Sequence, residues 1–237
     1  MNNFCKTLAA AAACSIWASH SKAELSTGDL IITEFLADPS ALNDDGEFFE
    51  IFNTTDSTIN LNGLTFTEDD GTNESFTVII DAFVNPGEFF VLGGFPVLDG
   101  NQTAAQTASI DLNFEDPTQA TIDGATAFFS ISNGTDEIEI FDGDTEIFSL
   151  TYTDGDEFGA DDVSAELADI TLALDGVVSL DDSADGVNDF VASTTAFDTD
   201  GIDALASPGS AGNTVVPEPA SAALIGLGSL LISRRRR

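Results

Sequence analysis

Residues 28–53 read GDLIITEFLADPSALNDDGEFFEIFN. Two runs rich in β-branched and aromatic residues, Leu30–Ala37 and Phe48–Asn53, flank a turn built of Asp, Asn, Pro and Gly. Apolar and polar residues alternate in the first run, with Ile32, Glu34 and Leu36 on one side and Ile31, Thr33 and Phe35 on the other. That period of two, bounded by turn residues, predicts two strands joined by a turn. The pattern continues outward. Ile59–Leu61, Leu64–Thr67 and Phe76–Ile80 read as strands, and Glu88–Leu92 follows the turn Asn85-Pro86-Gly87. Thr126–Ser132, Glu137–Phe141 and Glu146–Thr153 come later, the last two joined by Asp142-Gly143-Asp144, a strong hairpin signal. Gly93–Gly124 is polar and weakly periodic, so a loop insertion is expected near 93–125. A short helix is expected around Ser164–Ala168, with late strands near Thr171–Leu174 and Asp189–Ala192. Short strands at close intervals predict an all-β chain, an antiparallel β-sandwich over residues 24–213.

The composition is as informative as the pattern. Residues 24–233 carry all 42 Asp and Glu side chains of the chain and no Lys, Arg, His, Cys, Trp or Met, a formal charge of −42. No disulfide and no salt bridge within this body is available to it. Nucleic-acid binding through phosphates is excluded, because no cation is present to displace counterions. Anionic membrane surfaces repel it for the same reason. A divalent metal, or a cationic or neutral partner, remains attractive. Ser-His-Asp and Cys-His catalysis cannot be assembled without His or Cys. A pair of carboxylates remains able in principle to hydrolyse a glycoside, but the body has one tyrosine, Tyr152, and no Trp to form a sugar platform. The chain is therefore expected not to be an enzyme. Its 43% hydrophobic content and 19 Phe argue for one sizeable core rather than disorder.

The two ends read as targeting segments. Residues 1–23, MNNFCKTLAAAAACSIWASHSKA, combine Lys6, a short apolar stretch Thr7–Ala18, and small residues Ser21 and Ala23 before a cut after Ala23. That is the pattern of a secretory signal peptide. Ala11-Ala12-Ala13 before Cys14 offers a lipoprotein box as an alternative, without its usual Leu. Residues 214–237 end in VPEPASAALIGLGSLLISRRRR. Pro217, Glu218 and Pro219 favour extended backbone. The apolar segment Ala220–Ile232, helical in a membrane, is shorter than the roughly 20 residues a bilayer needs. Arg234, Arg235, Arg236 and Arg237 should stay cytoplasmic.

Candidate metal ligands are Asp181, Ser183, Asp185 and Asp189, spaced as positions 1, 3, 5 and 9 of a calcium loop with Gly186 at position 6. Position 12 is Ala192, so the bidentate acid is missing. Asp198, Asp200 and Asp203 around Gly201 form a second acidic turn, and Asp154, Asp156, Glu157, Asp161 and Asp162 a third cluster. Solvated surface turns are the simpler reading of all three in so acidic a chain.

Several segments together resemble the lamin-tail domain, an immunoglobulin-like sandwich. GDLIITEFLADPS is similar to its first strand, including Glu34. GEFFEIFNTTDSTINLNGLTFTEDDG is similar to its most recognisable stretch, with an acid ending the second strand (Glu50), Asn53, and the Leu61-x-Gly63 turn. VNPGEFFVLGG resembles its Pro-Gly-Glu strand, and SPGSAGN, 207–213, its closing Pro-Gly-x-x-Asn. Leu64 stands where the family commonly has Trp. The C-terminal tail resembles the PEP-CTERM sorting signal of Gram-negative bacteria that produce exopolysaccharide. That resemblance implies processing by an exosortase, transient inner-membrane association through the tail, and a place on the cell surface or in the extracellular, biofilm matrix. The expected role is a non-catalytic binding or structural domain. The alternatives are a Ca²⁺-binding adhesin or assembly subunit, with extracellular polysaccharide or another surface protein as partner, and a carboxylate-pair glycoside hydrolase.

Overall fold

The computed structural model describes residues 24–37, 47–68, 74–94, 110–124, 129–132, 135–152, 163–179, 189–199 and 202–216. One sheet is built from β1 (Leu30–Leu36), β2 (Phe48–Asn53), β7 (Phe89–Gly93), β8 (Leu112–Asn113), β12 (Ala165–Leu167) and β14 (Phe190–Ala192), in the order β14-β12-β1-β2-β7-β8. The other contains β4 (Leu64–Glu68), β5 (Ser75–Val78), β9 (Ala120–Asp123), β10 (Asp136–Asp142), β11 (Thr145–Tyr152) and β13 (Val177–Ser179), in the order β13-β11-β10-β4-β5-β9. Two short ribbons, β3 (Ile59–Asn60) with β6 (Phe83–Val84) and β15 (Ala196–Thr199) with β16 (Ile202–Leu205), complete it. All pairings are antiparallel except β11 with β13 and β7 with β8. The fold is the expected immunoglobulin-like β-sandwich.

Phenylalanine fills the space between the sheets. Phe49 from the first sheet meets Phe66 and Phe76 from the second, and Phe114 and Phe129 close the group, with ring centroids 4.8–6.5 Å apart. All five rings are fully buried. Leu64, in the place of the family's usual Trp, is also fully buried, so the smaller side chain still serves the core.

Four expectations are corrected. Residues 129–132, the described part of the expected strand Thr126–Ser132, form no strand. The stretch 164–168 forms strand β12 rather than a helix, because Glu166 and Ala165 pair with Glu34 and Phe35 of β1. Residues 171–174 hold the end of a 3₁₀ turn, Ile170–Leu172, rather than a strand; the Asp169 carboxylate accepts from the Thr171 N–H and fixes its start. The expected loop near 93–125 contributes β8 and β9, one to each sheet, with Phe114 buried between them.

The alternation read along β1 is also interrupted. A bulge falls between Ile32 and Glu34, so Ile32 pairs with Ile51 while Glu34 pairs with Glu50. The extra residue, Thr33, resets the period of two. Phe35 then points inward, where it meets Tyr152, and Glu34 and Leu36 point to the outer face. That outer face is itself covered, which is why every residue of β1 is buried.

Candidate functional site

The covering of the outer face is the most unusual chemistry in the molecule. Glu166, Glu34 and Glu50 stand side by side on the neighbouring strands β12, β1 and β2, in direct cross-strand register. Each is 1% exposed. Like charges directly opposite one another on a sheet destabilise it, so a row of three carboxylates needs donors. Among the described residues no Lys or Arg is present to supply them. The closing segment, 205–214, supplies them from its backbone and hydroxyl groups.

The bonds are specific. Glu34 Oε1 accepts from the Ser207 N–H at 2.8 Å and from the Ser164 hydroxyl at 2.5 Å. Glu50 Oε2 accepts from the Gly209 N–H at 2.6 Å, and its Oε1 accepts from the Thr33 hydroxyl at 2.6 Å. Glu166 Oε2 accepts from the Asn213 N–H at 2.6 Å, and its Oε1 lies 2.9 Å from the Ser207 hydroxyl. The bulge at Thr33 therefore has a use: it sets the Thr33 hydroxyl against the Glu50 carboxyl. Two glycines at positive φ shape the segment, and one of them, Gly212, lets it pass so close. Gly209 has φ +80°, and Gly212 has φ +48°. A Cβ on Gly212 would stand 2.0 Å from Ser207 Oγ and 2.7 Å from Glu166 Oε1. Ala206 seals the adjoining apolar patch of Leu36, Phe48 and Val91.

Burial outweighs these bonds in the protonation balance. Burial pushes the Glu50 carboxyl up to about 8; the Thr33 hydroxyl opposes this and the Glu34 charge adds to it. Burial likewise pushes Glu34 up to about 7, against the Ser164 hydroxyl and Ser207 N–H and with the Glu166 charge. A neutral carboxyl is the form that a water-poor site prefers. Raised carboxyls of this kind also occur in acid catalysis; here the closing segment lies over the oxygens and bonds them.

Past Asn213 the segment runs to the end of the sandwich. The Val215 N–H donates to Ala168 O at 3.0 Å, and Val215 O accepts from the Ile170 N–H at 3.2 Å. Val215 is thus pinned two residues before Pro217.

A second group of buried acids lies at the opposite end. Glu47, Glu68, Glu74 and Asp136 are all buried there. Glu47 accepts from the Ile131 N–H at 2.6 Å, Glu68 from the Glu74 N–H at 2.7 Å, and Asp136 from the Ser132 N–H at 2.9 Å. The Tyr152 hydroxyl donates to Ser132 O at 2.5 Å. Burial first, then the Asp136 and Glu47 charges, pushes the Tyr152 phenol far above the usual tyrosine range.

The sequence-predicted metal residues do not meet in a described site. Asp181, Ser183 and Asp185 lie outside the described residues, as do Asp200 and the cluster 154–162. Asp189 is described and half-buried; its carbonyl accepts from the Ala168 N–H at 2.6 Å. Among the described residues no three acidic, His or Cys side chains are grouped to hold a metal ion. Ala23, Pro217, Glu218, Pro219 and Arg234–Arg237 also lie outside the described residues. Among those described, no helix is long and apolar enough to cross a membrane. Glu166 is the site residue that sequence reading missed. Its only signal was a lone acid between apolar neighbours in Ala165-Glu166-Leu167, hidden by a helical reading of that stretch.

A β-sandwich closed by a clasped segment that leads into a Pro-Glu-Pro tail defines an exported bacterial domain with a sorting signal. The Lamin Tail Domain family matches residues 23–154, and the PEP-CTERM protein-sorting motif matches residues 215–237. The chain belongs to the lamin tail domain family, and its sorting motif marks it for processing by an exosortase and for a cell-surface or extracellular location in bacteria. The family match stops at residue 154, whereas β12, β14 and the clasped segment extend the sandwich to Val215. None of the curated proteins matches. Among solved structures, a DUF4876 family protein from Bacteroides thetaiotaomicron is similar at 13% identity and a TM-score of 0.43. The similarity covers 60% of this chain and spans 63% of that chain's length.

Proposed function

We propose that this protein is a non-catalytic structural or binding module, displayed or released at the surface of a Gram-negative bacterium once its tail has been processed. One observation carries the reading: the folded sandwich is pinned at Val215, and the matched sorting motif begins at that residue. The domain and its address are joined with almost no spacer. The non-catalytic part is supported by the chemistry of the body. It holds no His, Cys, Lys or Arg, and its raised carboxyls, Glu34 and Glu50, are covered and hydrogen-bonded by the closing segment.

Mass spectrometry of the mature protein from its native host tests the sorting half. The expected result is an N-terminus at Glu24 and a C-terminus within the tail, without the four arginines. An intact C-terminus through Arg237 would refute it. Incubation of the 24–216 fragment with glycans and esters tests the other half; brisk turnover would refute a non-catalytic role.

A further inference from the structure

Strand register places both described termini at the same end of the sandwich. At the N-terminal side, the Leu25 N–H donates to Asp142 at 3.2 Å and the Gly28 N–H to Ile147 O at 2.8 Å. At the other terminus, Val215 bonds to Ala168 and Ile170. The turns at this end are short: Asp142–Thr145 closes β10 onto β11, Asn85–Glu88 precedes β7, and Leu61–Leu64 opens β4.

Seven large apolar side chains are exposed among the described residues, and six of them, Ile79, Phe83, Leu172, Leu174, Val215 and Val216, fall on this same end; Val177 pairs with Ser149 midway along β11. Ile79 follows the lower end of β5, where Val78 O accepts from the Gly63 N–H. Phe83 pairs with Asn60 beside Asn53, the residue opposite Leu30 at the start of β1. Leu172 and Leu174 belong to the stretch that holds Val215, and the Leu174 carbonyl lies against Gly28. Phe83 and Val215 are each 56% exposed. Exposed apolar area at the end from which the tail leaves is surface that a partner can cover.

We infer that this end is a docking face for the membrane-embedded protease that processes the tail. The inference rests on the sorting reading above and adds a contact outside the tail itself. Chain length supports it: from Val215 to Ala220, where the apolar segment begins, is five residues, an extended span of at most about 18 Å. The end is therefore held close to the membrane whenever the tail is engaged. Charge decides between protein and lipid. Asp56, Asp81, Glu88, Asp144 and Asp175 are exposed at the same end, and the body has no Lys, Arg or Trp. Interfacial binding to bilayers uses those missing residues, and anionic lipid repels the carboxylates. The fitting partner is a protein surface with an apolar floor and basic side chains around it.

Two readouts test this in full-length protein expressed with its sorting protease. The first is the rate of tail removal in the triple variant Phe83→Ser, Leu172→Ser, Leu174→Ser, whose thermal midpoint is checked against wild type. Loss of such an interface should slow processing by about tenfold. Pro217→Ala with Pro219→Ala is the companion that disables the motif. The second is a photo-crosslinker placed at residue 83 or at Asp123, which is exposed at the opposite end. Crosslinks to the protease from residue 83 and none from residue 123 are expected. Wild-type processing of the triple variant, with the tail variant uncut, would overturn the docking face alone. Crosslinks from residue 83 to lipid alone would also overturn it. A wild-type protein left uncut would sink the sorting reading and the docking face with it.

Discussion

Glu50→Gln probes the clasp directly. The Glu50 carboxyl is held at about 8 in the fold, against the ordinary 4.5, mainly by burial. The neutral form is thus the one the fold favours. The contribution is present in full below about pH 4.5 and is lost as pH rises through about 8. Each tenfold displacement of a proton equilibrium corresponds to about 1.4 kcal/mol, so the loss across this window is on the order of 4–5 kcal/mol. Coupling to Glu34 makes about 3 kcal/mol a sounder expectation for Glu50 alone. Glutamine cannot ionise but keeps an acceptor for the Gly209 N–H, and the Thr33 hydroxyl can turn to accept from its amide. Urea denaturation of the 24–216 fragment between about pH 4.5 and 9, in enough salt to screen the general acidity, gives the test. Wild type should lose stability steadily across the window, and the variant should lose about 3 kcal/mol less. Parallel pH profiles for the two proteins would refute the buried-carboxyl account.

Gly212→Ala should cost more than about 2 kcal/mol, because the new Cβ meets Ser207 Oγ and Glu166 Oε1 at a positive φ. Gly143→Ala, also at positive φ but with open space around it, should cost only about 1 kcal/mol, and chemical denaturation of both compares them. Phe76→Ala opens a cavity among Phe49, Phe66, Phe114 and Phe129 and should destabilise by about 3–5 kcal/mol in the same assay. Tyr152 is the single tyrosine, so ultraviolet absorbance at high pH reports on it alone. No tyrosinate signal should develop at about pH 11 until the protein unfolds. A signal from the folded protein would show that the phenol is not sealed.

Most of the scaffold was legible because one sheet face obeys a simple rule. Strands such as β4 and β10 alternate buried and half-buried residues, and their boundaries follow from period two and the turns between them. The failures share one cause. Where both faces of a strand are covered, alternation no longer marks direction, and β1 is buried along its whole length. The bulge at Thr33 leaves no trace in composition. Ser164–Ala168 was read as helix because Ala, Glu and Leu are good helix formers, yet pairing with β1 overrides that local preference. The site was half-legible. Glu34, Glu50 and the closing SPGSAGN were visible as resemblances, but their meeting depends on a contact between residues 34 and 207, which spacing cannot reveal.

The absence of cations explains why the closing segment has this form. A buried carboxylate ordinarily finds Arg or Lys, and breaking such a pair leaves a charge stranded. Among the described residues seven acidic side chains are buried, with no basic residue in the body to meet any of them. Hydroxyl and backbone N–H groups are the donors that remain, and an irregular segment is where backbone N–H groups are left unspent by strand pairing. Ser207, Gly209 and Asn213 supply three such donors along one crossing of the sheet. Pro208 fits this logic: its missing N–H falls between Ser207 and Gly209, where no carboxylate oxygen asks for one. The same crossing delivers the chain to Val215, so what neutralises the buried acids also fixes where the sorting tail leaves the domain. Weakening the clasp should therefore loosen the tail's exit before it melts the phenylalanine core. Hydrogen exchange in Glu50→Gln at neutral pH against Gly212→Ala checks this order: the Val215 amide should lose protection in the glycine variant while the β4 and β10 amides keep theirs. Simultaneous loss in both regions would show that the clasp is simply one more part of a single cooperative unit.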